Sequence, residues 1–274
     1  MSRLGIFAKT FPGTTAEAVL TAARDAGYGC VQFNLACCGL PSMPDDVPTG
    51  TAAAIVAASA RTGVAIAGLS GTYNMIHPDP AVRAQGLRRL EVLLSEARAM
   101  GTSLVTLCTG TRDPEDQWRH HPDNDMPAAW ADLLTETEKA AALAERYGID
   151  LGIEPEHANV VSSAAHAARL LREVPSPRLK IVLDPANMVE AADTDQPRLY
   201  AEACDLLGDR IVMAHAKDRD ATGAVVPAGR GMIDFGAFFA QLARVGFVGP
   251  VVTHGLAATE AAPVARFLRQ TVGS

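Results

Sequence analysis

The feature that most constrains the fold is a regular alternation of short apolar runs, rich in β-forming residues, with longer runs rich in alanine, leucine and arginine. The strand candidates are residues 3–8, 29–35, 64–70, 103–109, 149–154, 179–184, 210–215 and 250–254. The helix candidates are residues 15–26, 51–62, 80–99, 128–147, 162–173, 197–207, 235–245 and 259–271. Eight strand–helix pairs close a (β/α)8 barrel, a fold of ~250 residues. We therefore expect an α/β protein in which residues 1–274 form a single-domain TIM barrel.

A doubly wound open sheet is the alternative fold for a chain that alternates strands and helices. Such a sheet usually carries a glycine-rich, phosphate-binding turn after its first strand. The segment GIFAKTFPG, which contains the first strand candidate, supplies no such turn. No low-complexity linker or charge run divides the chain, which favours one barrel domain over two units.

Four successive apolar runs end in a side chain that can bind a metal ion. The runs are DLGIE, LKIVLD, RIVMAH and PVVTH, and their last residues are Glu154, Asp184, His215 and His254, which follow one another at intervals of 30, 31 and 39 residues. The carboxyl ends of the strands of a parallel barrel meet at one rim, so these four strand-end ligands should lie around one point. Two carboxylates and two imidazoles suit a divalent ion such as Mn²⁺, Co²⁺, Zn²⁺ or Mg²⁺. The pattern predicts a metal site.

Each of the four residues also has an ordinary structural interpretation. Glu154 could be a buried acid paired with a basic residue, although such acids cluster at functional sites. Asp184 precedes a proline and could cap the next turn. His215 alone would be a structural histidine, and His254 could bind substrate rather than metal. Their matching positions in successive βα units favour a shared metal site.

Polar residues directly after these strand ends are candidate substrate contacts. Glu156 and His157 follow the first of the four ends, and Asn187 could orient a substrate hydroxyl with its amide. For Glu156 and His157 a solvated loop position is an equal alternative. Lys217 could stabilise a substrate oxyanion, and a surface ion pair with Asp218 is the alternative there.

Long connections follow several of the strand candidates, at residues 36–50, 71–79, 110–127 and 216–234. Loops of this length in a compact domain are usually functional, and all four should lie on the same rim as the strand-end ligands. They supply four further candidate substrate contacts, Asn74, His77, Arg112 and Arg230. Arg230 lies between glycines and suits a substrate carboxylate or phosphate.

The composition argues against several classes of protein. The formal net charge is −7, which argues against nonspecific nucleic-acid binding, because such binding requires clustered basic residues.

The five cysteines are odd in number and include the adjacent Cys37 and Cys38, so we expect reduced thiols. Neither a signal-peptide pattern nor an 18-residue apolar window occurs. We expect a cytoplasmic protein without a membrane or nucleic-acid partner.

Seven segments of the chain resemble the sugar phosphate isomerases and epimerases of the xylose-isomerase-like TIM-barrel superfamily. They are TYNMIHPD, CTGTRD, IEPEHANVV, LDPAN, AHAKD, GRGMIDFGAFFAQL and GPVVTHGL. The resemblance covers nearly the whole chain and implies a (β/α)8 barrel with a divalent metal, often Mn²⁺ or Mg²⁺. The usual ligands of that family are Glu, Asp, His and Glu on the fifth to eighth strands. Glu154, Asp184 and His215 match the first three, whereas His254 stands where the pattern has Glu, and Asn187 where many epimerases carry a substrate-binding His.

The resemblance implies a metal-dependent isomerase or epimerase of a sugar, keto-sugar or sugar phosphate, with Mn²⁺ as the expected ion. Glu154 would move the carbon-bound proton, and His254, Lys217 or Glu156 would complete the transfer. In the family's epimerases the fifth- and eighth-strand glutamates act on opposite faces of the substrate carbon. A histidine that binds the ion through one ring nitrogen cannot bridge metal and proton as a carboxylate does.

Three other functions are compatible with the same scaffold. One is a lyase of the inosose-dehydratase kind, and another is a sugar-binding relative without catalytic activity. A nuclease of the endonuclease IV type would need a multi-metal cluster and a basic groove, which seven histidines and a net charge of −7 do not favour. Dimers and tetramers are common among relatives, so the resemblance also allows a homo-oligomer.

Overall fold

Parallel strands that close into a barrel organise the computed structural model, which describes residues 3–190 and 195–272. The barrel strands are β1 (Leu4–Phe7), β2 (Cys30–Phe33), β3 (Ala65–Ser70), β4 (Leu104–Cys108), β5 (Asp150–Glu154), β6 (Leu179–Leu183), β7 (Ile211–Ala216) and β10 (Val251–Thr253). Each pairs in parallel with its neighbours in chain order, and β10 closes the ring against β1. A short antiparallel ribbon, β8 (Asp218–Arg219) and β9 (Val225–Val226), extends from the end of β7.

Helices separate the barrel strands along the chain. They are α1 (Ala16–Asp25), α2 (Thr51–Thr62), α3 (Pro80–Glu96), α4 (Pro127–Tyr147), α5 (Ala164–Glu173), α6 (Gln196–Leu207), α7 (Phe235–Arg244) and α8 (Ala261–Val272). The prediction of a (β/α)8 TIM barrel is confirmed, and the ends of the elements differ from the predicted ones by at most three residues. None of the helices in the described residues is long and apolar enough to cross a membrane.

Local sequence signals account for where several helices begin and end. The Thr15 hydroxyl accepts a hydrogen bond from the Ala18 N–H at 3.3 Å and caps α1. The chain leaves α4 through Gly148, whose φ of 67° is a left-handed conformation that glycine adopts without a steric penalty. The predicted helix over 80–99 ends earlier, at Glu96, because the next residues form a turn that closes at Gly101, with φ of 89°.

An apolar layer fills the barrel beneath the rim. Its buried members are Leu104, Val182, Met213 and Val252. Side chains along a strand alternate between two faces, so the residues two positions further on also point inward. Those residues include Thr106, Asp184, His215 and His254. The apolar layer therefore forms the floor of a site whose walls are polar.

The connection after β7 is held by one buried carboxylate. Asp218 accepts hydrogen bonds from the N–H groups of Arg219, Gly229, Gly231 and Ile233, at 2.9 to 3.1 Å. A side chain at Gly231 would come within 2.2 Å of the Arg219 carbonyl oxygen, so only glycine fits there. Lys217 and Asp218 do not form the surface ion pair that was the alternative for them, because both residues are buried and Asp218 faces its own loop.

We expect Asp218→Ala to lower the free energy of unfolding by about 3 kcal/mol, because buried N–H groups lose a charged acceptor. Urea denaturation monitored by circular dichroism measures the change. Asp220→Ala is the matched control, since Asp220 accepts from Thr222 and Ala224 in an exposed turn. Its cost should stay below about 1 kcal/mol. Equal costs for the two variants would contradict the assigned role of Asp218.

Candidate metal centre

The structure brings the four strand-end ligands together at the carboxyl rim of the barrel. One ligand atom from each of Glu154, Asp184, His215 and His254 lies within 4.8 Å of the other three. Glu154 ends β5, Asp184 follows β6, His215 lies in β7, and His254 follows β10. Residues separated by up to 100 positions meet because the barrel strands are parallel and in register.

Each of the four side chains lies within 4 Å of at least one of the others. Glu154 Oε1 lies 3.2 Å from His215 Nδ1, and Asp184 Oδ2 lies 3.9 Å from the same nitrogen. Asp184 Oδ2 is also 3.4 Å from His254 Nε2. The two imidazole rings meet edge to face, with centroids 4.7 Å apart. The ligand atoms of all four residues therefore face a common centre.

Two buried polar atoms at this centre lack a hydrogen bond. Asp184 Oδ2 and His254 Nε2 have no hydrogen-bond partner among residues 3–190 and 195–272. The other carboxylate oxygen of Asp184 accepts from the Ala186 N–H at 2.9 Å, so the turn-capping role also occurs. A buried polar atom without a hydrogen bond is costly, and a bound cation would interact favourably with both atoms. Two carboxylate oxygens and two imidazole nitrogens fit a divalent ion by chemistry as well as by position.

Electrostatics favour charged carboxylates at the centre. Burial alone would raise the pKa of Asp184, but the nearby Lys217 ammonium and the two histidines outweigh it and hold that pKa well below its usual range. Burial acts in the same way on Glu154, and the adjacent His215 reverses the effect and lowers the pKa. Both carboxylates are therefore ionised near neutral pH, as metal ligands must be.

The two histidines differ in their preferred protonation. Burial opposes the charge on His215, but the neighbouring Glu154 carboxylate outweighs burial and raises the His215 pKa. Burial dominates for His254 and lowers its pKa, and the neighbouring His215 acts in the same direction. His254 is thus a neutral imidazole at neutral pH, which leaves a nitrogen lone pair for an ion.

A hydrogen-bonded network of Lys217, Asn187 and Glu156 lies beside the four candidate ligands. Lys217 Nζ donates to Asn187 Oδ1 at 2.7 Å and lies 3.2 Å from Asp184 Oδ2. Asn187 Nδ2 donates to Glu154 Oε1 at 3.1 Å and to Glu156 Oε2 at 2.7 Å. Burial would lower the pKa of Lys217, yet the surrounding carboxylates, Asp184 foremost, raise it. Lys217 therefore supplies a fixed positive charge.

A cavity of about 590 Å³ opens above these residues. Its lining includes Glu154, Glu156, His215, Lys217 and His254 together with Phe7, Lys9, Gln32, Asn34, Ser42, Ser70, Thr72, Gln117, Trp118, Arg219, Val225 and Gly255. Trp118 and Val225 are exposed, and the hydroxyl and amide groups around them offer both donors and acceptors. A small polar molecule fits this lining by size and chemistry.

Gln32 and Arg219 line this cavity, although the sequence did not indicate either of them as a candidate site residue. Gln32 is a buried amide that contacts His215, and Arg219 places a guanidinium nitrogen 3.8 Å from Glu156 Oε1. The signal for Gln32 was a polar residue inside the otherwise apolar strand CVQF. Arg219 gave no such signal, because an arginine in a loop is usually solvated.

The remaining predicted substrate contacts lie outside this cavity's lining. Asn74 and His77 line a neighbouring cavity of about 390 Å³, where Asn74 bonds the Thr111 backbone and His77 the Pro114 carbonyl. The guanidinium of Arg112 bonds two backbone carbonyls and the Asp132 carboxylate. Their hydrogen-bonding groups are already occupied within the protein, which argues for a positioning function.

His157 and Arg230 also lie apart from the four candidate ligands. His157 lines a third cavity, of about 470 Å³, and Asn187 also lines that cavity. Arg230 is exposed on the loop that Asp218 organises, and it is absent from the cavity lining above the metal ligands. A substrate contact through either residue stays a prediction.

Comparison with known proteins identifies relatives of this chain. The family described as xylose isomerase-like TIM barrel matches residues 20–271. A ketose 3-epimerase from Arthrobacter globiformis is 29% identical over 251 residues, which cover 88% of this chain and 77% of the relative. The L-ribulose-5-phosphate 3-epimerase of Salmonella paratyphi C is 27% identical over 218 residues, which cover 77% and 72% respectively.

Solved structures show the same fold at lower sequence identity. The 3-keto-D-glucoside 4-epimerase of E. coli superposes with a TM-score of 0.77 at 18% identity, over 98% of this chain and 100% of that one. At that identity the likeness supports the barrel fold alone.

The centre generates a prediction about pH and metal affinity. We expect Mn²⁺ to bind more tightly as the pH rises from about 6 to about 8, because the raised pKa of His215 favours the protonated ring and ligation must displace that proton. Isothermal titration in buffers of different ionisation enthalpy measures both the affinity and the protons released. His121→Gln, at a histidine of the long loop after β4, is the control and should change neither quantity. Affinity independent of pH, without proton release, would argue against ligation by His215.

Proposed function

Because this chain belongs to the xylose isomerase-like TIM barrel family, we propose that it is a divalent-metal-dependent isomerase or epimerase of a sugar, keto-sugar or sugar phosphate. The observation that carries the proposal is the convergence of the four strand-end ligands at the floor of a polar cavity. The names of the relatives support the substrate class, since one is a ketose 3-epimerase and another an L-ribulose-5-phosphate 3-epimerase.

The four strand-end ligands would hold the ion, and Mn²⁺ is the ion we expect. When bound, the cation would polarise a substrate carbonyl and lower the cost of an enediolate. The protein's own part is to fix the ligand atoms before the substrate arrives. The apolar floor beneath them and the hydrogen bonds beside them provide that rigidity.

Glu154 is the residue that would take the proton from the carbon next to the carbonyl. Its carboxylate lines the cavity, and the lowered pKa leaves it ionised at neutral pH. The Asn187 amide and the His215 ring hold one of its oxygens, Oε1, at 3.1 and 3.2 Å. A base held in this way needs no reorganisation before proton transfer.

Lys217 and Glu156 have complementary roles in the proposed reaction. Lys217 keeps its proton because its pKa is raised, so it would donate a hydrogen bond to a substrate oxygen that gains negative charge. Burial raises the pKa of Glu156, which brings this carboxyl closer to the range of a general acid. Glu156 would return the proton, while a ring nitrogen of His254 would be committed to the ion.

Deuterium exchange tests the proposed function. The Mn²⁺-loaded protein should exchange the hydrogen on the carbon next to the carbonyl of a ketose or ketose phosphate, detected by proton NMR in deuterated buffer. Glu154→Gln keeps the side-chain shape and should slow this exchange by roughly 10²- to 10⁴-fold, since the general base is lost. Absence of exchange with every ketose offered would contradict the proposal. A product that has lost water or an aglycone, seen by mass spectrometry, would assign a lyase.

His254→Glu tests the position at which this chain departs from its family's pattern. We expect the variant to keep one Mn²⁺ per chain, with an affinity equal to or greater than that of the wild type, because a carboxylate replaces a neutral imidazole. His254→Ala should bind roughly tenfold more weakly or worse. Titration calorimetry measures both affinities. If the alanine variant binds Mn²⁺ as the wild type does, His254 is not a ligand.

A further inference from the structure

We propose that Gln32 is a positioning residue that fixes the tautomer and the ring orientation of His215, so that Nδ1 faces the ion. The inference rests on the metal site of the proposed function and concerns a residue outside the four strand-end ligands. Gln32 lies in β2, almost across the barrel from His215 in β7. The two side chains meet inside the barrel, where His215 Nε2 lies 2.8 Å from Gln32 Oε1.

Gln32 is an unusual residue for its position. β2 is buried along its whole length, and its neighbours Val31 and Phe33 are inaccessible to solvent. An amide in such a strand must be hydrogen-bonded or it destabilises the fold. Gln32 is fully engaged: its Nε2 lies 2.9 Å from Thr106 Oγ1 and 3.2 Å from Ser70 Oγ, and its Oε1 contacts His215.

The direction of these hydrogen bonds sets the orientation of the amide. A threonine hydroxyl has one proton, and Thr106 donates it to the Leu69 carbonyl oxygen at 3.4 Å. Thr106 must therefore accept from its other neighbour, which places the NH₂ end of Gln32 toward β3 and β4. The carbonyl end of Gln32 then faces His215 and can only accept.

The acceptor at Gln32 decides which imidazole nitrogen carries a proton. Because Gln32 Oε1 accepts, His215 Nε2 must bear its hydrogen, and the lone pair of the neutral ring is then on Nδ1. Nδ1 is the nitrogen that faces Glu154 Oε1 and Asp184 Oδ2, at 3.2 and 3.9 Å. The hydrogen bonds that run from His215 through Gln32 to Thr106 thus leave a lone pair of the ring directed at the metal centre. Such outer partners orient metal-ligating histidines generally.

Metal affinity tests this role without relying on turnover. Gln32→Met retains similar volume but has no strong acceptor, and it should raise the Mn²⁺ dissociation constant by about 10- to 100-fold. Gln32→Glu retains an acceptor oxygen for His215 Nε2–H and should restore the affinity to within about threefold of wild type. A Gln32→Met protein that binds Mn²⁺ within about twofold of wild type overturns the proposal.

A second pair of variants separates positioning from general packing. Thr106→Val removes the hydroxyl that orients the Gln32 amide and leaves His215 untouched, so it should weaken Mn²⁺ binding by a few-fold. Thr137→Val is the matched control, because Thr137 is equally buried, on α4, and its hydroxyl has no hydrogen-bond partner in the described residues. The control should leave the affinity unchanged. Equal affinities for the two variants would contradict an orienting role of Thr106.

The histidine tautomer gives a readout that does not need substrate. Long-range ¹H–¹⁵N NMR of the Zn²⁺-loaded protein, in which a diamagnetic ion takes the place of the Nδ1 proton that otherwise faces Glu154, should show the proton of His215 on Nε2. In Gln32→Met the ring should populate both tautomers. A wild-type ring protonated on Nδ1 overturns the proposal even if sugar turnover is found. Conversely, an Nε2–H tautomer without any sugar turnover supports the role of Gln32 and counts against the proposed function alone.

Discussion

The buried carboxylate of Asp184 is the charge around which the rest of the site is arranged. Its oxygen Oδ2 lies 3.2 Å from the Lys217 ammonium and 3.4 Å from His254 Nε2. An isolated charge in this position would be very costly, so the Lys217 ammonium and the imidazoles around it stabilise the native fold. Asn187 then connects Lys217 to the two glutamates. The geometry of the whole centre follows from the partners that one buried carboxylate requires.

The histidine at position 254 changes the charge of the ligand set. Glutamate in that position would bring a third carboxylate to the ion, whereas His254 is neutral because burial lowers its pKa. Because Lys217 stays positively charged and His254 adds no negative charge, the net charge of the site would favour a substrate oxygen that gains negative charge. In the proposed reaction, the proton that a second glutamate would return would come from another group. Glu156, whose pKa burial raises, is linked to Glu154 through the Asn187 amide.

The sequence was sufficient to predict the barrel and the convergence of Glu154, Asp184, His215 and His254 at its rim, because both depend on periodic features. Parallel strands end at one rim, so a polar residue that closes an apolar run has a definite place in space. Loop residues have no such rule: Asn74 and Arg112 each bind backbone groups of the other's loop, which no spacing predicts. The sequence did not indicate a role for Gln32, because the function of a polar residue within a strand depends on its partner across the barrel, here His215.

The most direct test of the account is the position of manganese in crystals of this protein grown with Mn²⁺. Anomalous diffraction measured near the manganese absorption edge locates the ion without reference to the protein atoms. We expect one strong peak at roughly 2.0–2.3 Å from one atom each of Glu154, Asp184, His215 and His254, with His215 bound through Nδ1. A peak elsewhere, or a centre in which His254 or His215 Nδ1 does not contact the ion, would contradict it.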